Sequence, residues 1–145
     1  MRYDTQAVTR TSCAFAAFIQ QQQLSLFMKT LVIGASENTA RFANRAARSL
    51  VQYGHAVELI GLKKGQIQGH PIQTGLPALT DVDTVTMYVG IGNQAGYVDY
   101  VKALKPRRVI FNPGAENPDL ARQLKQEGIE AIDACTLVLL SMGTY

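Results

Sequence analysis

Leu31-Val32-Ile33-Gly34-Ala35-Ser36 is the stretch of this sequence that decides the fold. The apolar, β-branched run predicts a buried parallel strand over residues 29–34, and Asn38 or Thr39 is suited to cap a helix running to about Tyr53. Small residues at such a turn let a ligand approach the main chain, and the free N–H groups at a helix start favour an anion. The turn therefore predicts a phosphate site, with a tight turn that binds nothing as the alternative.

The turn lacks the glycine pattern of the dinucleotide fingerprint. Only Gly34 is present, and Ser36 and Thr39 stand where the later glycines of G-x-G-x-x-G would fall. The second strand, predicted over residues 56–62, is followed by Lys63-Lys64, whereas NAD sites place an acidic residue there for the free ribose. The two lysines favour a phosphorylated ribose, with a solvated surface loop as the alternative.

From residue 28 onward the pattern alternates between strands and helices. This alternation predicts one Rossmann-like, doubly wound α/β domain, with a parallel sheet of about five strands and helices on both faces. The predicted strands are 29–34, 56–62, 84–89, 107–112 and 129–133, and the predicted helices are 39–53, 94–104, 118–127 and 136–141.

Capping residues, glycines and prolines give clear local signals in two segments. The third helix should be capped by Asn117, begin at Pro118 and end before Gly128. Residues 63–80 are rich in glycine and proline, which predicts a long irregular connection with at most one helical turn near residues 76–80.

Three glycine-containing loops should meet at the carboxyl edge of the sheet, where open α/β sheets bind their ligands. Arg41 falls in the first turn of a helix, where a cation opposes the helix dipole unless an anion is bound, with a solvated arginine as the alternative. Asn93 could instead cap the following helix, and Cys135 is either a reactive thiol or a structural cysteine. The candidate binding residues are Gly34, Ala35, Ser36, Asn38, Arg41, Lys63, Lys64, Tyr88, Gly90, Ile91, Asn93, Asn112, Pro113, Gly114 and Cys135.

Length and composition limit the classes of protein to consider. With 145 residues, of which 47% are hydrophobic, the chain can bury one core and has no room for a second substrate domain. A formal charge of +3 without a dense basic face argues against a nucleic-acid partner. Two cysteines are too few for a disulfide framework, so we expect a cytoplasmic protein.

Residues 1–27 differ in character from residues 28–145, which form the predicted domain. The apolar run Cys13–Ile19 is too short to span a bilayer and is not followed by a cleavage site, so no membrane association is expected. We interpret residues 1–27 as a disordered extension or a mis-assigned start upstream of Met28, with a docked helix over residues 11–27 as the alternative.

Catalytic and metal-binding patterns are absent from the sequence. The two histidines, His55 and His70, have no ligand spacing between them, so no metal is expected. Ser36 is not surrounded by G-x-S-x-G and has no assignable histidine and aspartate partners. The sequence therefore favours binding over catalysis.

Six motifs follow one another along the chain: Gly34-Ala35-Ser36, Arg41, Gly69-His70-Pro71, Asp83-Thr84-Val85, the Asn-Pro-Gly loop and Cys135. Their order resembles that of small, stand-alone CoA-binding domain proteins, relatives of the CoA-binding domain in the succinyl-CoA synthetase α subunit. The resemblance extends from Met28 to Tyr145. Two segments depart from the family pattern: Gly61-Leu62-Lys63-Lys64 stands where many members have Asn-Pro, and Asn112-Pro113-Gly114 where many have Gln-x-Gly.

The resemblance implies non-catalytic binding of coenzyme A or a CoA thioester, because the phosphohistidine-bearing domain of the synthetase has no counterpart here. The alternative is an NADP-type nucleotide-binding protein or small reductase, which the lysines permit. A third alternative is a partner-binding module that has lost its ligand. Whether the chain forms a homodimer or binds an unknown protein partner is open.

A chain that begins at Met28 should fold with a free energy of unfolding within about 1 kcal/mol of the full chain, because peripheral segments contribute little. Urea unfolding of both chains measures the difference. A larger loss would show that the apolar N-terminal residues pack into the domain.

Overall fold

A computed structural model describes residues 14–17, 19 and 28–145. Residues 14–17 and 19 are helical and exposed, and the other predictions for residues 1–27 lie outside the described residues. Within the described part of the chain, no helix is long and apolar enough to cross a membrane.

The domain is a single seven-stranded sheet with helices on both faces. The strand order is β3-β4-β2-β1-β5-β6-β7, and all neighbours are parallel except the antiparallel pair β3 and β4. The Rossmann-like class is confirmed, whereas the predicted count of about five strands is wrong. The strands are β1 Lys29–Ile33, β2 Ala56–Ile60, β3 Gly65–Ile67, β4 His70–Gln73, β5 Val82–Met87, β6 Arg108–Phe111 and β7 Glu130–Asp133; the helices are α1 Phe42–Gln52, α2 Val98–Leu104, α3 Pro118–Gln126 and α4 Thr136–Met142.

The two additional strands form a hairpin inside the connection predicted to be irregular. Gln68 and Gly69 both have positive φ, 47° and 81°, which is the geometry of a tight two-residue hairpin turn. Ile72 is buried opposite Leu59 of β2 and so attaches the hairpin to the sheet. The hairpin was not predicted from the sequence because Gln-Gly stands where the usual turn signal, Asn-Gly or Asp-Gly, would be. Residues 76–80 form no helical turn, in keeping with the prediction of at most one.

Helix α1 begins three residues later than predicted. Asn38 does not cap it, because its Oδ1 accepts from the Ala40 N–H at 3.0 Å and its carbonyl accepts from the Arg41 N–H at 3.0 Å. These bonds close a turn ahead of the helix. Arg41 occupies the cap position of α1 and provides no side-chain hydrogen bond there.

Of the other three helices, α3 and α4 begin where predicted and α2 does not. Asn117 caps α3 as predicted, with its Oδ1 accepting from the Leu120 N–H at 3.1 Å, and Pro118 is the first helical residue. Helix α2 does not begin near residue 94, because two 3₁₀ turns, Ile91–Asn93 and Ala95–Tyr97, precede it. Asn93 therefore ends a 3₁₀ turn and does not start a helix.

Two hydrophobic clusters cover the two faces of the sheet. Strand β1 shows the division, because Leu31 and Ile33 pack into the cluster that includes residues of α2 and α3. Val32, which points to the opposite face, packs into the cluster that includes residues of α1 and α4. A strand buried on both faces fixes the order of the elements around it.

The C-terminal residue is bound at the amino edge of the sheet, opposite the predicted ligand loops. The Tyr145 hydroxyl lies 2.6 Å from Oγ1 of Thr30. The Arg108 guanidinium lies over the Tyr145 ring at 4.5 Å, and the His55 ring packs edge-on against it at 4.8 Å. These contacts hold the end of the chain after α4 against the sheet.

Partial burial, and then the nearby Arg108, lower the pKa of His55. The folded chain thus favours neutral His55, while the unfolded chain takes up the proton near the ordinary value of about 6.5. The free energy of unfolding should fall as the pH drops through that value, and His55→Gln should weaken this dependence. Urea unfolding between about pH 7.5 and 5.5 measures it; equal losses in both proteins would contradict the assignment.

Candidate functional site

Two adjoining cavities open at the carboxyl edge of the sheet. The smaller has a volume of about 500 Å³ and the larger about 680 Å³, and both are bordered by Gly34, Arg41 and Tyr88. The smaller is also lined by Asn38, Ala40, Phe42, Ala43, Asn112, Pro113, Cys135 and Leu137, and the larger by Ala35, Ser36, Glu37, Gly61, Leu62, Lys63, Lys64, Val89, Gly90, Asn93 and Tyr97.

The cavities bring together most of the residues that the sequence nominated. All predicted binding residues line one cavity or both, except Ile91 and Gly114. Ile91 is 57% exposed, and the Gly114 N–H donates to the Glu116 carboxylate at 2.8 Å. The three predicted loops therefore do meet at one edge.

The turn after β1 differs from the expected phosphate cradle. The N–H groups of Gly34 and Ala35 both donate to the Ile60 carbonyl, each at 2.9 Å, so neither is free for a ligand. Gly34 has a φ of +102°, and a Cβ there would lie 3.2 Å from Tyr88 Cβ. The main-chain conformation and the adjacent strand end thus require this glycine, which corrects the expectation that it makes room for a ligand.

Gly61 is a structural requirement of the site that sequence reasoning missed. A Cβ at this position would collide with the Ala35 carbonyl oxygen and lie 2.9 Å from Ile72 Cγ2. The end of β2 can therefore approach the turn only without a side chain. The signal was a lone glycine inside the predicted second strand, which often marks such an approach.

Two side chains hold the rest of the turn in place. The Asn44 amide of α1 is buried and donates to the Ser36 carbonyl at 2.8 Å. The Glu37 carboxylate accepts from the Gln66 N–H of β3 at 2.9 Å. The turn is consequently fixed from the helix and from the hairpin.

The start of α1 has the groups that an anion site requires. No side chain caps the helix, its first turn has no acidic residue, and its first bonded amide beyond the cap is that of Arg45. Phe42 and Ala43, whose N–H groups have no partner among the described residues, line the smaller cavity. Unpaired N–H groups and the positive end of the helix dipole attract anions, and Arg41 adds a full charge.

Asn112 lines the smaller cavity but does not offer its amide to a ligand, because the amide nitrogen and oxygen are already hydrogen-bonded within the protein. Its Nδ2 donates to Thr86 Oγ1 at 2.7 Å and to the Met87 carbonyl at 3.0 Å, and its Oδ1 accepts from the Thr136 N–H at 2.9 Å. This residue fixes the first turn of α4. Cys135 precedes that turn, lines the smaller cavity and is half-buried with a free thiol.

Tyr88 borders both cavities. Burial raises the pKa of its phenol far above the ordinary value, so the group stays neutral at all physiological pH values. Its hydroxyl is buried and has no hydrogen-bond partner among the described residues. The hydroxyl itself has no accessible surface, so Tyr88 offers neither cavity a free donor.

The charges around the larger cavity favour an anionic ligand. Lys63 and Lys64 are exposed at its rim, while its one acid among the lining residues, Glu37, is engaged with β3. Among the described residues, no group of three or more His, Cys, Asp or Glu side chains is placed to hold a metal ion.

Comparison with known proteins agrees with this geometry. The model of the family described as CoA binding domain matches residues 28–141. The chain belongs to the CoA-binding domain family. The resemblance noted from the sequence motifs is thereby confirmed. No curated protein gave a significant match.

Solved structures similar to this CoA-binding domain include both small and large chains. An uncharacterized protein is 46% identical, with a TM-score of 0.79 over 81% of this chain and 98% of its own. A conserved hypothetical protein from Pyrococcus furiosus is 23% identical, with a TM-score of 0.66 over 77% of this chain and 97% of its own. An acetyl-coenzyme A synthetase from Ca. Korarchaeum cryptofilum, in complex with phosphate and ADP, is 19% identical, with a TM-score of 0.61 over 74% of this chain and 26% of its own. The last two show only that the fold is shared.

Replacing Gly61 tests the close approach of β2 to the turn. Gly61→Ala should lower the free energy of unfolding by about 1 to 3 kcal/mol, because the added methyl group has no space. Gly96→Ala is the matched control, since a Cβ there meets nothing within 4 Å. Urea unfolding of both variants gives the comparison, and an equal effect in the two would contradict the packing argument.

Proposed function

We propose that this CoA-binding domain binds coenzyme A or a CoA thioester across its two cavities, without catalysing a reaction of its own. The observation that carries the proposal is the uncapped start of α1, with Arg41 beside it, where the two cavities meet. CoA has a matching order of groups: a phosphorylated nucleoside, a central pyrophosphate and an uncharged pantetheine arm.

Each part of the ligand has a suitable surface. The Phe42 and Ala43 N–H groups and Arg41 would bind the pyrophosphate. The larger cavity would hold the nucleoside, with Lys63 and Lys64 at the 3′-phosphate. The smaller cavity, whose walls are mostly small or apolar side chains, would take the pantetheine arm and bring its sulfur end toward Cys135.

The contacts of the catalytic candidates support binding without catalysis. The Ser36 hydroxyl accepts from the Asn38 N–H at 3.2 Å, and neither His55 nor His70 lines a cavity. Neither histidine is therefore placed beside Ser36 to act as its general base. Acetyl-CoA incubated with the protein should remain unhydrolysed, as measured by chromatography. Hydrolysis that depends on the added protein would contradict this part of the proposal.

Removing the two lysines tests the proposed 3′-phosphate contact. Wild-type protein should bind CoA more tightly than dephospho-CoA in calorimetry. The double variant Lys63→Ala, Lys64→Ala should lose about 1 to 3 kcal/mol of CoA affinity, the range for charge-assisted hydrogen bonds, and should bind dephospho-CoA as the wild type does.

The control removes two lysines that line neither cavity, by Lys105→Ala and Lys125→Ala, and should retain the wild-type affinity. Equal affinities of the wild type for CoA and dephospho-CoA would show that Lys63 and Lys64 form only a solvated loop. NADP also has a phosphorylated ribose, so tighter binding of NADP than of CoA would establish the alternative function.

A further inference from the structure

Gln94 is a polar side chain with no exposed surface, placed between two loops of the ligand edge. Its Nε2 donates to the Val89 carbonyl at 2.8 Å and to the Ala115 carbonyl at 2.7 Å. Its Oε1 accepts from Nδ2 of Asn117, the cap of α3, at 2.9 Å. Every polar group of the amide is engaged, so Gln94 has no donor left for a ligand.

The two loops have few other links to each other. Pairing of β5 with β6 ends at Met87 and Phe111, and the next main-chain bond, from the Asn112 N–H to the Met87 carbonyl, is 3.2 Å long. Beyond that point, the Gln94 amide is the bridge that the described residues show between the loops. A buried amide with both N–H groups on carbonyls from different segments fixes their separation.

The loops joined by Gln94 belong to different cavities. Val89, Gly90 and Asn93 line the larger cavity, while Asn112 and Pro113 line the smaller. A shift of one loop relative to the other would therefore move one wall of the larger cavity relative to one wall of the smaller. A ligand that occupies both cavities contacts both walls, whereas a ligand in one cavity contacts only one of them.

We propose that Gln94 is a positioning residue that holds the two cavities in register for a ligand spanning both. The inference rests on the proposed binding of CoA, the ligand class of the required length. Gln94 would raise the affinity for CoA without touching it. The two ends of one ligand strengthen each other's binding only when their two sites are held at the right separation.

The test uses the full chain and three ligands in calorimetry: CoA, adenosine 3′,5′-bisphosphate for the larger cavity, and 4′-phosphopantetheine for the smaller. Gln94→Ala should weaken CoA binding roughly tenfold or more, while each fragment binds within about twofold of its wild-type affinity. Tyr145→Phe is the control for a lost, partly buried hydrogen bond away from the site, and should leave all three affinities unchanged.

A second variant and a ligand-free measurement separate positioning from stability. Gln94→Glu keeps the shape but sets a carboxylate against two carbonyls, so its CoA affinity relative to wild type should recover as the pH falls and the acid regains one donor. Without ligand, amide hydrogen exchange at residues 90–93 and 114–116 should be faster in Gln94→Ala.

The outcomes distinguish the two claims. Unchanged CoA affinity in Gln94→Ala with a lower melting temperature, or equal losses for CoA and both fragments, would overturn the positioning role while leaving CoA binding intact. Unchanged hydrogen exchange in the two loops would overturn the role of Gln94 as their link, whatever the ligand. No binding of CoA to the wild type would overturn the proposed function and this inference with it.

Discussion

The carbonyl of Ile60 accepts two hydrogen bonds from the turn after β1, and the ligand edge depends on this arrangement. Gly34 and Ala35 are drawn onto the end of β2 by these bonds, at a distance that only Gly61 permits. The chain then leaves the sheet through a closed turn at Asn38 and enters α1 with its first amides unpaired. At the turn, the N–H groups of Gly34 and Ala35 are paired within the protein. At the start of α1, the N–H groups of Phe42 and Ala43 have no partner among the described residues.

The location of the unpaired N–H groups determines what the ligand edge can bind. The turn is occupied by its own main chain, so the attractive field for an anion comes from α1 and Arg41. Cations at the rim of the larger cavity and small, apolar walls in the smaller give the two sides different chemistry. A ligand with phosphates at its centre and dissimilar ends fits such an edge better than a symmetric or wholly polar one does.

Sequence reasoning succeeded where the signal was local. The apolar run of β1, the strand and helix alternation and the Asn117 cap each depend on residues within a few positions, and each is found. It failed for the hairpin, because Gln68-Gly69 adopts a conformation usually signalled by asparagine or aspartate at its first position. The engagement of Asn112 and Gln94 could not be predicted, because their partners include residues more than twenty positions away.

The most direct test of the account is a crystal structure of the chain with CoA. The account predicts pyrophosphate oxygens within hydrogen-bond distance of the Phe42 and Ala43 N–H groups, with the bonds from Gly34 and Ala35 to Ile60 intact. A pyrophosphate bound to the Gly34 and Ala35 amides, with those bonds broken, would contradict it, as would CoA bound outside the two cavities.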